Sequence, residues 1–155
     1  MAKLLALILV MIGVSGAVFL ARAQSESTTS AVEARHAGFE GILSALRQID
    51  REAKAEQPDL AAMASSNARL IELEAEIPSW FPLGSGTESG AKTTARPEIW
   101  TDRQGFVEKA AASLAAARGL STSVRTGNLE AIRDTERTLV KTCQACHHAY
   151  EYGNF

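Results

Sequence analysis

Apolar residues recur at intervals of three and four in several stretches of the chain, which predicts amphipathic helices. The first stretch follows Ser30, whose spacing from Glu33 is typical of a capping box, and it fades before Pro58. Its apolar positions are Val32, Phe39, Ile42, Leu46 and Ile49. The second stretch has Pro58 in its first turn and stops at Pro78. Its stripe is Leu60, Met63, Asn67, Leu70, Ile71 and Ile77.

The segment from Pro78 to Pro97 has no sustained period and is predicted to be a long loop. A third helix is expected to start at Pro97 and end at Gly119. Asn128 is expected to cap a fourth helix, which Gly153 closes. The third stripe is Ile99, Phe106, Val107, Ala110, Leu114 and Ala117, and the fourth is Leu129, Ile132, Leu139, Val140, Cys143, His147 and Tyr150. Without a convincing strand, the pattern predicts an all-α four-helix bundle.

The N-terminus carries a separate signal. Lys3 precedes an apolar run from Leu4 to Leu20, and the small residues of Ala21-Arg22-Ala23 follow at the spacing that signal peptidase recognises. We expect residues 1–23 to be a cleaved signal peptide and residues 24–155 to be the mature domain. The alternative is a retained membrane anchor, since the run is almost long enough to span a bilayer. The cleavage triplet favours export, with no membrane attachment afterwards.

Composition excludes several classes of protein. The 155 residues are 46% hydrophobic and 22% charged, which suits one globular domain. The formal net charge of −2 falls to −4 when Lys3 and Arg22 leave with the signal peptide, so a nucleic-acid partner is not expected. Two cysteines are too few for a disulfide-dense scaffold.

Both cysteines lie in one motif on the last helix, Cys143-Gln144-Ala145-Cys146-His147. C-x-x-C-H is the attachment signature of c-type haem. On a helix, thiols three residues apart face the same way and can form two thioethers. The imidazole of His147, four residues after Cys143, projects from the same face toward the iron. The sequence therefore predicts one covalent haem c inside the bundle.

Three other interpretations of the motif are weaker. A redox-active disulfide usually follows a strand, and none is evident. A zinc site with His147 and His148 lacks a second ligand pair, and adjacent histidines diverge on a helix. Plain buried thiols are unexpected in an oxidising compartment.

Four features together resemble cytochrome c′, the class II c-type cytochromes. They are the run from Phe81 to Thr87 (FPLGSGT), the run from Ala95 to Trp100 (ARPEIW), the C-terminal motif from Cys143 to His147, and Arg35 four residues before Phe39. The resemblance spans essentially the whole mature chain. A haem motif near the C-terminus distinguishes this family from class I cytochromes.

The resemblance implies a periplasmic, antiparallel four-helix bundle that is often a homodimer. His147 would be the only protein ligand of the iron, and Phe39 stands where the family has the apolar side chain that closes the opposite haem face. Nitric oxide and carbon monoxide can enter there. Nitric oxide binding or sequestration and electron transfer with a redox protein are the roles usually proposed, and the family is not known chiefly as enzymes.

Phe39 cannot ligate iron, so a five-coordinate, high-spin iron is predicted. A six-coordinate, low-spin electron carrier is the alternative. Its sixth ligand would be His36, beside the first stripe, or Met63, the methionine that remains after signal removal.

Two charged residues have predicted roles at the haem. Arg35 lies on an apolar stripe and needs a partner, which a haem propionate would supply, as the matching arginine of the family does. The alternative is a side chain that extends to solvent. Glu151 stands where many family members have a basic residue, and it would either accept a hydrogen bond from His147 or be solvated at a frayed helix end. The role of Asn67 stays open between a core hydrogen bond and the haem pocket.

Overall fold

Helices make up most of the computed structural model, which describes the backbone of residues 2–153 and the side chains of residues 28–153. The helices are α1 (Ala2–Lys54), α2 (Leu60–Glu76), the short α3 (Glu98–Thr101), α4 (Arg103–Thr126) and α5 (Leu129–Tyr150). Helix α1 packs along α2, α2 along α4, and α4 along α5. The all-α four-helix bundle expected from the periodicity is confirmed, with α1, α2, α4 and α5 as its members.

Helix α1 extends through Ser30, so the capping box predicted there is wrong. The residues before Ser30 continue the helical backbone, and the buried stripe begins only at Val32. The predicted signal peptide, residues 1–23, lies outside the residues whose side chains are described, and its cleavage stays a prediction. In the described part of the chain, no helix combines the length and hydrophobicity that a membrane span requires.

Side-chain caps set the ends of α2 and α5. Asp59, and not Pro58, begins α2, because its carboxylate accepts hydrogen bonds from the amides of Ala61 and Ala62 at 2.9 Å. Asn128 caps α5 as predicted and accepts from the Ala131 amide at 3.1 Å. These side chains satisfy amides that have no partner within their own helix.

Helix α4 passes through Gly119, so its predicted end there is wrong. Leu120 and Val124 are buried beyond that glycine, and their packing outweighs the weak helix propensity of glycine, about 1 kcal/mol. The helix ends at Gly127, whose φ of 68° is left-handed.

The predicted third helix is interrupted at Asp102, which separates α3 from α4. Its carboxylate accepts hydrogen bonds from the Gly105 amide at 3.2 Å and from the Tyr150 hydroxyl at 2.8 Å. The aspartate thus caps α4 and ties its start to the end of α5.

The loop before α3 has more structure than its composition suggests. It contains 3₁₀ turns at Ile77–Trp80 and Thr87–Ser89. Near its end, Ala95 forms an isolated antiparallel bridge with Glu151, and no strand is present in residues 2–153. The loop therefore closes over the ends of the bundle and fastens to the end of α5.

Candidate haem site

The three functional side chains of the C-x-x-C-H motif share one face of α5. Cys143 and Cys146 are half-buried free thiols, and with His147 they line the same cavity. Burial raises the pKa of the Cys143 thiol, and it raises that of Cys146 to about 11. Reactive thiols have lowered pKa values, so this environment disfavours a redox-active dithiol. The described residues contain no group of three or more side chains placed to hold a metal ion.

The cavity has a volume of about 580 Å³, within the range of cofactor sites. Its walls come from all five helices and from the loop between α2 and α3. The apolar wall residues include Ile42, Leu46, Ile77, Phe81, Ile99, Phe106 and Ala110. An apolar slot with two thiols and an imidazole on one wall has the donor set and the shape that a covalent haem c requires.

Phe39 and His147 both line the cavity. Their ring centroids are 6.2 Å apart, and the ring planes are nearly perpendicular at 89°. Edge-to-face contacts with Trp80, at 5.3 Å, and with Phe81, at 6.4 Å, hold the Phe39 ring in place. The two residues that the family resemblance assigns to opposite haem faces thus lie close together in the cavity lining.

Arg35 is only 4% exposed, so the alternative that its side chain extends to solvent is wrong. Its guanidinium donates to Ser85 Oγ at 2.8 Å and to Thr93 Oγ1 at 3.0 Å, and it lies 4.0 Å from the centroid of the Phe81 ring. Burial lowers the pKa of Arg35 to about 10, although the charge of Glu88 opposes the shift. Arg35 therefore anchors the long loop to α1, and it also lines the cavity.

Glu151 is held at the end of α5. His147 Nδ1 lies 3.3 Å from Glu151 Oε2, and the Thr94 hydroxyl donates to Glu151 Oε1 at 2.9 Å. The Tyr152 amide donates to the Thr94 carbonyl at 2.7 Å, which fixes the loop beside the carboxylate. The alternative of a frayed, solvated Glu151 is therefore disfavoured.

The candidates for a sixth ligand differ in position. His36 is exposed and lies at the cavity wall. Met63 is fully buried and is not among the wall residues. Asn67 is buried on the same stripe as Met63, away from the cavity, and its Oδ1 has no hydrogen-bond partner among the described residues. The structure thus brings only His36 to the site.

Glu74, a buried carboxyl group in the cavity wall, was not expected from the sequence. It is 2% exposed, and its Oε2 has no hydrogen-bond partner among the described residues. Burial raises the pKa of Glu74, and a hydrogen bond with Ser113 opposes the increase. A signal was present in the sequence, because Met63, Asn67, Leu70 and Glu74 follow one another at helical intervals.

Comparisons with known proteins agree with this geometry. A family model described as cytochrome C' matches residues 30–151. A cytochrome c' of Alcaligenes xylosoxydans xylosoxydans is 34% identical over 97 residues, covering 63% of this chain and 73% of the relative. A cytochrome c' of Rubrivivax gelatinosus is 27% identical over 128 residues, covering 83% of this chain and 98% of the relative.

Solved structures share the fold. The nitric oxide complex of a mutant cytochrome c prime from Alcaligenes xylosoxidans matches with a TM-score of 0.72 at 26% identity, covering 82% of this chain and 97% of that chain. Cytochrome c' from Thermochromatium tepidum matches with a TM-score of 0.74 at 19% identity, covering 81% of this chain and 97% of that chain. With the family model spanning residues 30–151 and the haem motif lining the cavity, the chain belongs to the cytochrome c′ family of haem proteins.

Proposed function

We propose that this protein is an exported haem c protein that binds small uncharged gases, nitric oxide and carbon monoxide, at a five-coordinate iron. The observation that carries the proposal is that the rings of His147 and Phe39 lie 6.2 Å apart in the lining of one cavity. His147 offers a nitrogen ligand, and Phe39 offers a ring without a donor atom. Haem c supplies, when bound, an iron that exchanges one electron and takes up such gases.

The roles of the residues follow from their positions. The sulfurs of Cys143 and Cys146 would hold a single haem through two thioethers, and the imidazole of His147 would provide a nitrogen ligand for its iron. Phe39, supported by Trp80 and Phe81, keeps water and bulky ligands from the opposite side. The buried charge of Arg35 at the cavity wall attracts a haem propionate, which would compensate the cost of its burial.

The nitric oxide complex of the structural neighbour supports the gas-binding role, because that protein has the same fold and a similar sequence. We extend the role here to nitric oxide binding or sequestration, without an enzymatic reaction. The predicted signal peptide supports a periplasmic location, and the family resemblance supports a homodimer.

A low-spin electron carrier is the second candidate. The position of His36 at the cavity wall favours it, since an imidazole there is within the same cavity as the predicted iron ligand. Such a protein would exchange electrons with a redox protein partner and would be indifferent to gas.

Expression of the full chain in a bacterium that attaches haem c tests the proposal. The mature protein should begin at Gln24, carry the mass of one haem, and give a high-spin signal in ferric electron paramagnetic resonance. A low-spin signal that becomes high-spin in the His36→Ala variant would instead establish the electron carrier. A chain without covalent haem would contradict both candidates.

A further inference from the structure

Glu74 is a carboxyl group buried inside the proposed haem cavity, and no cation among residues 28–153 forms a salt bridge with it. Glu74 is 2% exposed, and one of its oxygens lacks a hydrogen-bond partner among the described residues. Leaving a buried acceptor unsatisfied destabilises the folded state, and the cost is larger for a charged group. The neutral, protonated carboxyl avoids most of that cost, because its charge does not have to be desolvated.

The surroundings of Glu74 offer little compensation for a negative charge. Helix α4 contributes the hydroxyl of Ser113, and that hydroxyl also lies 3.7 Å from Cys143 Sγ. The positive charge of Lys109, also on α4, lowers the pKa of the Cys146 thiol and so partly opposes the effect of burial there. The charged or titratable groups that line the rest of the cavity are Arg35, His36 and Glu40 on α1, Cys143, Cys146, His147 and Tyr150 on α5, and Glu151. Both thiols stop titrating once they become thioethers.

We infer that Glu74 is a redox-linked proton site, which keeps its proton while the haem iron is ferrous and releases it to water when the iron is oxidised. The inference rests on the proposed haem site. Oxidation removes one electron to a one-electron acceptor, such as a redox protein, and leaves one additional positive charge in the cavity. That charge stabilises a carboxylate on the same cavity wall, since Coulomb interactions are strong where water is excluded. The O–H bond of Glu74 breaks, and charge is balanced by the departing proton.

The same burial affects the proton equilibrium of Glu74. It raises the pKa of Glu74 above the ordinary value of 4.5, and the hydrogen bond with Ser113 lowers it in part. The ferrous protein therefore keeps this proton at a pH where an exposed glutamate has lost it. The ferric protein loses it at a lower pH, and between the two values oxidation and proton release are coupled.

Spectroelectrochemical titration of the haem-loaded protein tests the inference. The reduction potential should fall as pH rises between the Glu74 pKa of the ferric protein and that of the ferrous protein, which burial raises above the ordinary carboxyl value. The slope should approach about 59 mV per pH unit, which corresponds to one proton per electron. Glu74→Gln, which cannot release a proton, should remove this slope. Glu40→Gln, which changes an exposed carboxyl of the same cavity wall, should retain it.

Two further measurements keep the test decisive if Glu74→Gln folds poorly. The infrared difference spectrum of the wild-type protein should lose the carbonyl band of a protonated carboxyl on oxidation. Ser113→Ala should move the sloping region to higher pH, because a hydrogen bond that favours the carboxylate is removed.

A flat wild-type potential, or a slope that persists in Glu74→Gln, would overturn the inference. The failure of the proposed haem site would look different, because the protein would then lack the visible absorption of covalent haem altogether, and a low-spin spectrum would contradict the gas-binding function without affecting the Glu74 test.

Discussion

Replacement of Glu151 by Gln should raise the reduction potential of the haem iron. In the structure, Glu151 Oε2 lies 3.3 Å from His147 Nδ1, which leaves Nε2 available as the ligand nitrogen. A carboxylate that accepts a hydrogen bond from the Nδ1–H group makes a histidine ligand a stronger electron donor to iron. A stronger donor favours the ferric state. A glutamine oxygen accepts more weakly, so the ferric state loses part of that advantage.

The structure sets the size of the effect. Hydrogen bonds to charged groups contribute about 1.5–3 kcal/mol. The side chains of His147 and Glu151 are 34% and 29% exposed, so solvent screens part of the interaction. Glu151 is taken to stabilise the ferric state over the ferrous state by about 1 kcal/mol more than Gln would. Losing this stabilisation raises the potential by about 40 mV, because 59 mV corresponds to a tenfold change for one electron.

Spectroelectrochemistry at neutral pH measures this shift, and resonance Raman spectroscopy of the ferrous protein should show a weaker iron–histidine bond. Glu108→Gln is the matched control. It removes the same charge from α4, where Glu108 accepts a hydrogen bond from Gln104 Nε2 at 2.9 Å. An unchanged potential in Glu151→Gln, or an equal shift in the control, would refute the role of the hydrogen bond.

Three other predictions concern the cavity and the bundle. Phe39→Ala should speed carbon monoxide association in flash photolysis, and an unchanged rate would show that Phe39 does not restrict entry. Gly38→Ala should destabilise the protein by about 1–3 kcal/mol in urea denaturation, because the new Cβ would overlap the Trp80 ring. Gly119→Ala is its control, since a Cβ there meets nothing within 4 Å, and helix propensity should add up to about 1 kcal/mol of stability. In the wild type, the unfolding free energy should fall as pH rises through the raised pKa of folded Glu74, because the folded protein keeps a proton that the unfolded chain has lost. Glu74→Gln should abolish that decrease, and an identical pH profile in both proteins would contradict it.

The helical periodicity predicted the bundle because each stripe must be buried against another. It did not predict the exact ends of the helices, which depend on contacts between distant residues. Asp102 interrupts the third helix because its carboxylate binds both a local amide and the Tyr150 hydroxyl. Gly119 has the residue type of a helix end, yet α4 continues because Leu120 is buried beyond it.

The wall of the cavity that carries the C-x-x-C-H motif was predictable, since the spacing of Cys143, Cys146 and His147 on a helix places them on one face. The position of Phe39 opposite His147 came from the family resemblance. The network around Arg35 was not predictable, because Ser85 and Thr93 are separated from it by 50 and 58 residues. Its predicted contact with a haem propionate stays a prediction.

The visible spectrum of the ferrous protein, before and after addition of carbon monoxide or nitric oxide, tests the central claim most directly. A high-spin spectrum that shifts when gas is added is predicted, because Phe39 offers no ligand on the side opposite His147. A sharp low-spin spectrum that gas leaves unchanged would contradict the claim and would establish a sixth protein ligand.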